Sequence, residues 1–345
     1  MSRTAVVIFN LGGPDGPDAV RPFLFNLFND PAILRMPAIL RWPLARLIST
    51  RRAPVAREIY DKIGGRSPIL EQTVAQRDAL QAALDVGGDV RVFVAMRYWH
   101  PFADQCAAEV MAYQPDRIVL LPLYPQFSTT TTGSFQRVWR QAARKAGLLA
   151  RTTGICCYPT EPGFIGGVAE ATRQAIGRAA AFGTPHVLFS AHGLPKKIIA
   201  AGDPYQAQIE ATVAAIRARL SGLSFESTVC YQSRVGPIEW LKPYTDTEIR
   251  EAAKAGKPIV VVPVAFVSEH SETLVELDID YRAMALAEGA SCYERVATVG
   301  VTAGYIDGLA RLVDAALASD NAIMPEGGAR QCPAGAGDCP CGAGG

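Results

Sequence analysis

Four carboxylates recur over a short stretch of this chain: Glu269, Glu272, Glu276 and Asp280, at i, i+3, i+7 and i+11. On an α-helix that spacing sets them in one row along one face, with His270 beside the row. Like charges stacked this way repel and weaken an isolated helix. A solvated acidic face is the ordinary explanation, but the row begins just after an apolar run, residues 258–264, that reads as a buried strand. Ser268 reads as the N-cap, and acids in the first turns suit the helix dipole. A second group stands in the same kind of place. Residues 186–190 read as a short strand, and Gly193 and Pro195 end it directly after His192. The carboxyl ends of strands are where open α/β sheets put their active sites. The chain has four histidines, and two of them, His192 and His270, close strands in this way. An imidazole facing carboxylates handles protons or a metal ion.

A different chemistry lies in the tail. Residues 325–345 hold seven Gly, three Pro and four Ala, together with Cys332, Cys339 and Cys341. So glycine-rich a segment has little to pack and should be disordered; three thiols within ten residues give it a reason to be ordered. Thiolates are soft ligands suited to an iron–sulfur cluster or zinc. Three ligands need a fourth, and Cys156 and Cys157, at the end of a predicted strand, are the best donors. Strand alternation puts that pair on opposite faces, so one of the two is expected to point at the group. Cys106, Cys230 and Cys292 fall in helix or strand patterns and read as small buried hydrophobes.

Residues 31–57 contain Arg35, Arg41, Arg46, Arg51, Arg52 and Arg57 and no acid, interleaved with Ile33, Leu34, Met36, Ile39, Leu40, Trp42, Leu44, Leu47 and Ile48. Pro31, Pro37, Pro43 and Pro54 are expected to cut the segment into short pieces. A basic amphipathic surface with Trp suits an anionic lipid interface, and it equally suits a flat apolar ligand with carboxylate arms.

The elements that must position these groups alternate along the chain. Strand-like runs at 5–10, 90–96, 117–123, 152–157, 186–190, 227–231, 258–264 and 296–299 are separated by helical patterns at 71–85, 101–113, 134–146, 162–182, 205–220 and 304–318. This is the pattern of βαβ units around parallel sheets. At 345 residues the chain suits two domains. The fold expected is α/β: two similar doubly wound, Rossmann-like halves with a cleft between them. The divisions expected are 1–157, carrying the basic segment at about 31–57; 158–303, carrying His192 and the Glu269–Asp280 helix; a C-terminal helix, 304–324; and the cysteine tail, 325–345. A net charge of +1 argues against a general nucleic-acid partner. Neither a signal-peptide layout nor a run of about 20 apolar residues is visible, so a cytoplasmic chain is expected. Asn10-Leu11-Gly12-Gly13-Pro14 stands where a dinucleotide site has Gly-x-Gly-x-x-Gly, and no nucleotide is expected.

Several motifs, in order, resemble the ferrochelatase family. They are Asn10-Leu11-Gly12-Gly13-Pro14, Met96-Arg97-Tyr98, Tyr124-Pro125-Gln126-Phe127-Ser128, Ser190-Ala191-His192-Gly193-Leu194-Pro195, Gly202-Asp203-Pro204-Tyr205, Tyr231-Gln232-Ser233-Arg234-Val235-Gly236-Pro237 and Glu269-His270-Ser271-Glu272-Thr273-Leu274, and the resemblance continues to about residue 318. It implies insertion of ferrous iron into protoporphyrin as the last step of haem synthesis. It also implies two Rossmann-like domains with the last helix packed back on the first. Residues 31–57 become a lip over the porphyrin that touches the membrane, peripherally and at its inner face. Leu11, Arg97, Tyr98, Phe127 and Trp240 become porphyrin contacts. Arg97 offers a bidentate grip on a carboxylate, and Tyr98 a flat face and a hydroxyl. The tail is similar to those of ferrochelatases that carry a [2Fe-2S] cluster, which makes Cys332, Cys339, Cys341 and Cys157 (or Cys156) its ligands.

The reaction sets further requirements. Two pyrrolic protons must leave as Fe²⁺, the metal substrate, enters, and a bent macrocycle presents its nitrogens better than a flat one. His192 is expected to accept a proton or to deliver iron, with Glu272 facing it; Glu269, His270, Glu276 and Asp280 then form a path for protons or metal. The family usually has Asp where Glu269 stands. The competing readings are a coproporphyrin or cobalt chelatase of the same fold, and a haem or iron–sulfur carrier without turnover. Either a monomer or a homodimer is compatible with the sequence.

Overall fold

The computed structural model describes residues 2–85 and 89–341. Its strands, in chain order, are β1 (Arg3–Asn10), β2 (Asp89–Met96), β3 (Arg117–Pro122), β4 (Arg151–Ile155), β5 (His186–His192), β6 (Glu226–Gln232), β7 (Pro258–Pro263), β8 (Cys292–Arg295) and β9 (Ile323–Met324). They form two separate sheets, ordered β2-β1-β3-β4-β9 and β6-β5-β7-β8. Every pairing in both is parallel. β1 is buried at seven of its eight positions and β7 along its whole length. A parallel sheet covered on both faces requires that, which is why its strands read as unbroken apolar runs.

The chain divides into two compact units, Met1–Cys157 with Leu309–Ala329, and Tyr158–Gly308 with Arg330–Gly345. In the first, Phe9 of β1 stacks on Phe135 with centroids 3.9 Å apart, and Phe135 stacks in turn on Trp139. In the second, β5 is flanked by β6 on one side and β7 on the other. The chain order therefore reverses between β5 and β7, which is where an α/β sheet opens a crevice at its carboxyl edge.

Three local expectations are corrected. Pro37 stands at the start of a helix, but Pro43 and Pro54 do not cut the basic segment further. Two helices between β1 and β2 are α1 (Val20–Phe28) and α2 (Ala38–Asp61), and α2 runs for 24 residues through Pro43 and Pro54. Its Ala45, Ser49, Ala53 and Tyr60 are buried, and that tertiary packing outweighs the missing donors. Among the described residues no helix is long and apolar enough to cross a membrane. The last strand of the second sheet is Cys292–Arg295, whereas Val296 and Val299, taken for a strand by their apolarity, are buried in a loop. The strand before Cys156 ends at Ile155. Pleat alternation therefore does not apply to Cys156 and Cys157, whose sulfurs lie 3.4 Å apart.

Helix Pro162–Ala179 shows how tightly the second unit is built. Its N-cap, Glu161, accepts the Phe164 amide at 2.7 Å. A Cβ added to Gly163 would lie 1.8 Å from the Gly304 carbonyl oxygen. The obstacle is backbone and cannot swing aside. Gly163→Ala is expected to destabilise the protein by about 1–3 kcal/mol, the usual range for overpacking, with a lowered thermal midpoint; an unchanged midpoint would show that this contact is loose.

Candidate active site

His192 is the last residue of β5 and pairs in register with Gln232, the last of β6. At Gly193 a side chain would be crowded: its amide donates to the Gln232 carbonyl at 2.9 Å, and a Cβ there would meet that oxygen at 3.0 Å and the Trp240 ring at 3.3 Å. The Tyr205 hydroxyl donates to the His192 carbonyl at 3.0 Å, which fixes the backbone from the other side. The imidazole stands edge-on to Trp240, centroids 6.4 Å apart, and Trp240 is itself pinned by Nε1 donating to the Val235 carbonyl. Nδ1 of His192 lies 2.9 Å from Oε2 of Glu272. Both side chains keep an open edge, at 37% and 27% exposure.

Glu272 begins a π-helix, Glu272–Asp280, that passes directly into the α-helix Tyr281–Ala287. Such bulged turns are rare and recur at functional sites. One turn along from Glu272, Glu276 is held by several donors. Oε1 accepts from the Ser233 amide at 3.0 Å and the Tyr281 hydroxyl at 2.8 Å, and Oε2 accepts from the Ser233 hydroxyl at 2.5 Å. Gln232 Nε2 lies 3.4 Å from the same Oε2. Ser233 reaches with both amide and hydroxyl because its backbone is left-handed, with φ at 65°. A non-glycine residue held in that region is uncommon and clusters at functional sites.

The three titratable groups are pushed apart. Burial works against charge on His192, but the Glu272 carboxylate and its hydrogen bond, with Glu276 beyond, prevail and raise the imidazole above its ordinary 6.5. Burial likewise opposes ionisation of Glu272, yet His192 and then His270 hold it down at about 2. For Glu276, burial and the nearby Glu272 charge both raise the carboxyl above 4.5, against the hydrogen bonds of Ser233 and Tyr281. Two carboxylates one turn apart are thus shifted in opposite directions.

The remaining members of the expected row stand elsewhere. Glu269 precedes the helix. Its Oε1 accepts from Arg295 Nη1 at 2.7 Å and from the Thr298 amide at 3.0 Å. Arg295 also pairs with Asp278. Burial would raise the Glu269 carboxyl, but the arginine holds it below its ordinary value. Glu269 is thus the partner of an internal arginine. Ser268 is not the N-cap: the helix starts at Ser271, and the Ser268 carbonyl sits 3.2 Å from His270 Nδ1. His270 is buried, with Nε2 3.9 Å from Glu272 Oε2. Its burial outweighs the carboxylates and lowers its pKa. Asp280 is exposed at the far end of the π-helix.

In the first unit Arg97 and Tyr98 follow β2, and both turn onto Asp30. Arg97 Nη2 lies 2.6 Å from Asp30 Oδ2, and the Tyr98 hydroxyl donates to the same oxygen at 2.8 Å. Ser134 Oγ also donates to Asp30, and Arg97 Nε to Ser134 Oγ. The carboxylate that Arg97 grips is thus the chain's own. Tyr98 is fully buried, its hydroxyl committed to Asp30. Leu11 packs with Val20, Phe23 and Tyr98, and Phe127 is buried. Asp30, Ser134, Ser233 and Arg295 escape a reading of the sequence because each acts on a group distant in the chain, and Tyr281 because its hydroxyl reaches Glu276 only through the π-helical turn. Only Ser233 lies inside a recognisable motif.

The tail is ordered against the second unit through Asp338, whose amide donates to the Gly202 carbonyl, and through Gln208, whose Nε2 donates to Cys332 Sγ at 3.1 Å. Cys339 is buried. Among the described residues no three His, Cys, Asp or Glu side chains are gathered as a metal site.

The family model for ferrochelatase matches residues 3–317. A ferrochelatase of Caulobacter vibrioides (strain NA1000 / CB15N) is 54% identical over 314 residues, 90% of this chain and 89% of the relative. A ferrochelatase of Phenylobacterium zucineum (strain HLK1) is 50% identical over 348 residues, 99% of both chains. Among solved structures, SirB from Bacillus subtilis with Fe³⁺ aligns with a TM-score of 0.52 at 11% identity, covering 92% of this chain and 96% of that one. That last likeness speaks for the fold alone.

The site's electrostatics fix a pH dependence. His192 is raised, so its share of stability is complete below 6.5 and fades as pH climbs through the raised value. Glu272 is depressed, so its share is complete above 4.5 and fades as pH falls toward about 2. Removing the carboxylate leaves burial in command of the imidazole. In Glu272→Gln the His192 pKa, read by NMR titration of its ring, is expected to fall to 6.5 or lower; an unmoved pKa would show the two groups to be uncoupled.

Proposed function

This chain belongs to the ferrochelatase family, enzymes that insert ferrous iron into a porphyrin in haem synthesis, and we propose that His192 is the base that takes the pyrrolic protons. The observation that carries this is the 2.9 Å contact between His192 Nδ1 and Glu272. With Glu272 ionised, the neutral imidazole keeps its hydrogen on Nδ1, pointed at the carboxylate. Nε2 then carries the lone pair toward the open edge. As Nε2 takes a proton, the new imidazolium is stabilised by the ion pair that forms at once with Glu272. The raised pKa is the equilibrium expression of that stabilisation. Glu276, whose carboxyl is raised, is the next group able to carry a proton, and Asp280 stands at the solvent end of the same helix. Glu269 takes no part, being matched to Arg295. Each turnover sends away two protons and moves no electrons, so neither a nucleotide nor a redox partner is called for.

The substrate is protoporphyrin on this reading, and Trp240, beside His192, is the wall against which the macrocycle lies. Binding energy from the ring edges bends the ring and brings its nitrogens to Nε2. An anaerobic assay with Fe²⁺ and protoporphyrin or coproporphyrin in parallel decides the side chains accepted. In it, His192→Ala is expected to lose activity by at least the hundredfold typical of a missing general base, while porphyrin fluorescence still reports binding. Near-normal turnover in that variant would remove His192 from the chemistry.

The tail fits a [2Fe-2S] cluster by its donor chemistry: three thiols, with a buried amide aimed at one sulfur, the kind of hydrogen bond that tunes such clusters. Cys332, Cys339 and Cys341 are the ligands proposed, with Cys157 or Cys156 as the fourth. The cluster would hold the tail in shape and has no part in insertion. The protein purified without oxygen should be reddish-brown and bleach with dithionite. Cys332→Ser, Cys339→Ser and Cys341→Ser are each expected to lose the colour, whereas Cys106→Ser keeps it; one zinc per colourless chain would replace the cluster with a zinc site.

A peripheral contact with an anionic membrane is supported by α2, which exposes Ile39 at 82%, Leu40 at 60% and Val55 at 59% beside Arg51 and Arg52. Apolar side chains alternating with guanidinia suit the boundary between headgroups and acyl chains.

A further inference from the structure

The first unit holds a depression of about 400 Å³ between α1 and α2, lined among others by Asp18, Arg21, Phe25, Trp42, Arg46 and Arg57. Three guanidinia against one carboxylate leave two positive charges around one small concavity. Like charges so placed repel unless an anion joins them. The side chains are organised by their own contacts. Arg46 lies over the Trp42 ring, 5.7 Å from its centroid, and Trp42 stands edge-on to Phe25 at 6.0 Å. Arg57 is anchored at the rim, its Nε donating to the Pro17 carbonyl at 3.0 Å. The floor is aromatic and the rim is cationic. Seven residues before Arg46, on the face of α2 that carries Trp42 and Arg46, stands exposed Ile39.

We propose that this depression binds the phosphate headgroup of an anionic membrane phospholipid. The phosphate sits among Arg21, Arg46 and Arg57, with Trp42 and Ile39 against the first carbons of the chains. The proposal rests on the membrane reading above and sharpens it from diffuse attraction to a defined headgroup site. Guanidinium is the group suited to phosphate, since its donors form a fork that matches two phosphate oxygens. The exposed Ile39 side chain decides between a lipid and a free phosphate. It gains nothing from a soluble anion, whereas a lipid buries it as its headgroup is held. The half-exposed Trp42 has the amphipathic ring found at the headgroup level of membranes.

The experiment uses the full chain and two double variants that remove equal charge. Arg21→Gln with Arg46→Gln alters the depression, and Arg51→Gln with Arg52→Gln alters the same helix outside it. Thermal denaturation checks that both fold. Co-sedimentation is measured with phosphatidylglycerol vesicles and with neutral phosphatidylcholine vesicles. Trp42 emission is followed with dihexanoyl phosphatidylglycerol below its micelle concentration, with inorganic phosphate, and with free porphyrin; Trp42→Phe identifies the Trp42 part of the signal. We expect the pocket pair to weaken vesicle binding about tenfold more than the control pair, the size of a lost charge-assisted contact. We also expect the Trp42 signal to shift with the short-chain lipid and not with phosphate. Equal losses in the two pairs would overturn the headgroup site and leave diffuse membrane attraction standing. Absence of vesicle binding by the unaltered chain would overturn the membrane reading itself. A Trp42 shift with phosphate alone, or with porphyrin alone, would reassign the depression to a free anion or to the substrate.

Discussion

A single hydrogen bond between an imidazole and a carboxylate sets the terms for the second unit. His192 and Glu272 are 80 residues apart, and each is delivered by the carboxyl end of a neighbouring strand. The order β6-β5-β7-β8 puts β5 beside β7 with their connections leaving in opposite directions. The space above that boundary is filled by the segments that follow the two strands. Gly193 lets the chain turn without a side chain where Gln232 and Trp240 close in, and the turn is what aims the imidazole. A pair formed this way costs the desolvation of both groups unless its geometry is good. Here the partly open edges leave one face of each in contact with solvent or ligand, so the pair is both affordable and usable.

The π-helix gives the second carboxylate a different character from the first. Glu272 meets a cation and is ionised; Glu276 meets hydroxyl and amide donors and a like charge, and is raised. Hydroxyl donors satisfy a carboxylate without fixing its charge, since each hydroxyl can turn to accept when the carboxyl is protonated. Ser233 and Tyr281 therefore hold Glu276 in place in either state. A guanidinium has no such freedom, and that separates Glu276 from Glu269, which Arg295 keeps ionised and immobile.

Much of this was readable from the residues. Parallel sheets follow from the unbroken apolar strands, and the strand-end placement of His192 follows from the glycine and proline after it. What escaped were features set by tertiary neighbours. Helical spacing put Glu269 in the row, but the helix begins only at Ser271, because the residues before it are spent on closing the loop with His270 and Arg295. Prolines in α2 signalled breaks, yet a helix anchored along one face by Ala45, Ser49 and Ala53 tolerates them. Apolarity alone placed a strand at 296–299; the ladder instead uses Tyr293, buried with its hydroxyl donating to the Leu277 carbonyl, and Arg295, whose charge is answered from the helix side. No local pattern announces that an arginine at the end of the neighbouring strand will neutralise a glutamate.

Arginine shows the same limit from the opposite direction. Arg97 and the arginines of α2 look alike in sequence, each suited to an anion. The fold sorts them by what else is within reach. Arg97 ends β2 facing Asp30, which also takes the hydroxyls of Tyr98 and Ser134. Burial would raise the Asp30 carboxyl, but the guanidinium and these donors hold it below its ordinary value. That cation is consumed in fixing the start of the segment that leads into α2, since Asp30 Oδ1 also accepts the Ala32 amide. Arg21 and Arg46 line a concavity with one carboxylate among three cations. An internal acid turns an arginine into a fastener, and a shortage of acids leaves it as a receptor for an anion from outside. The distinction lies in charge balance within a few ångströms, a quantity that spacing along the chain does not encode.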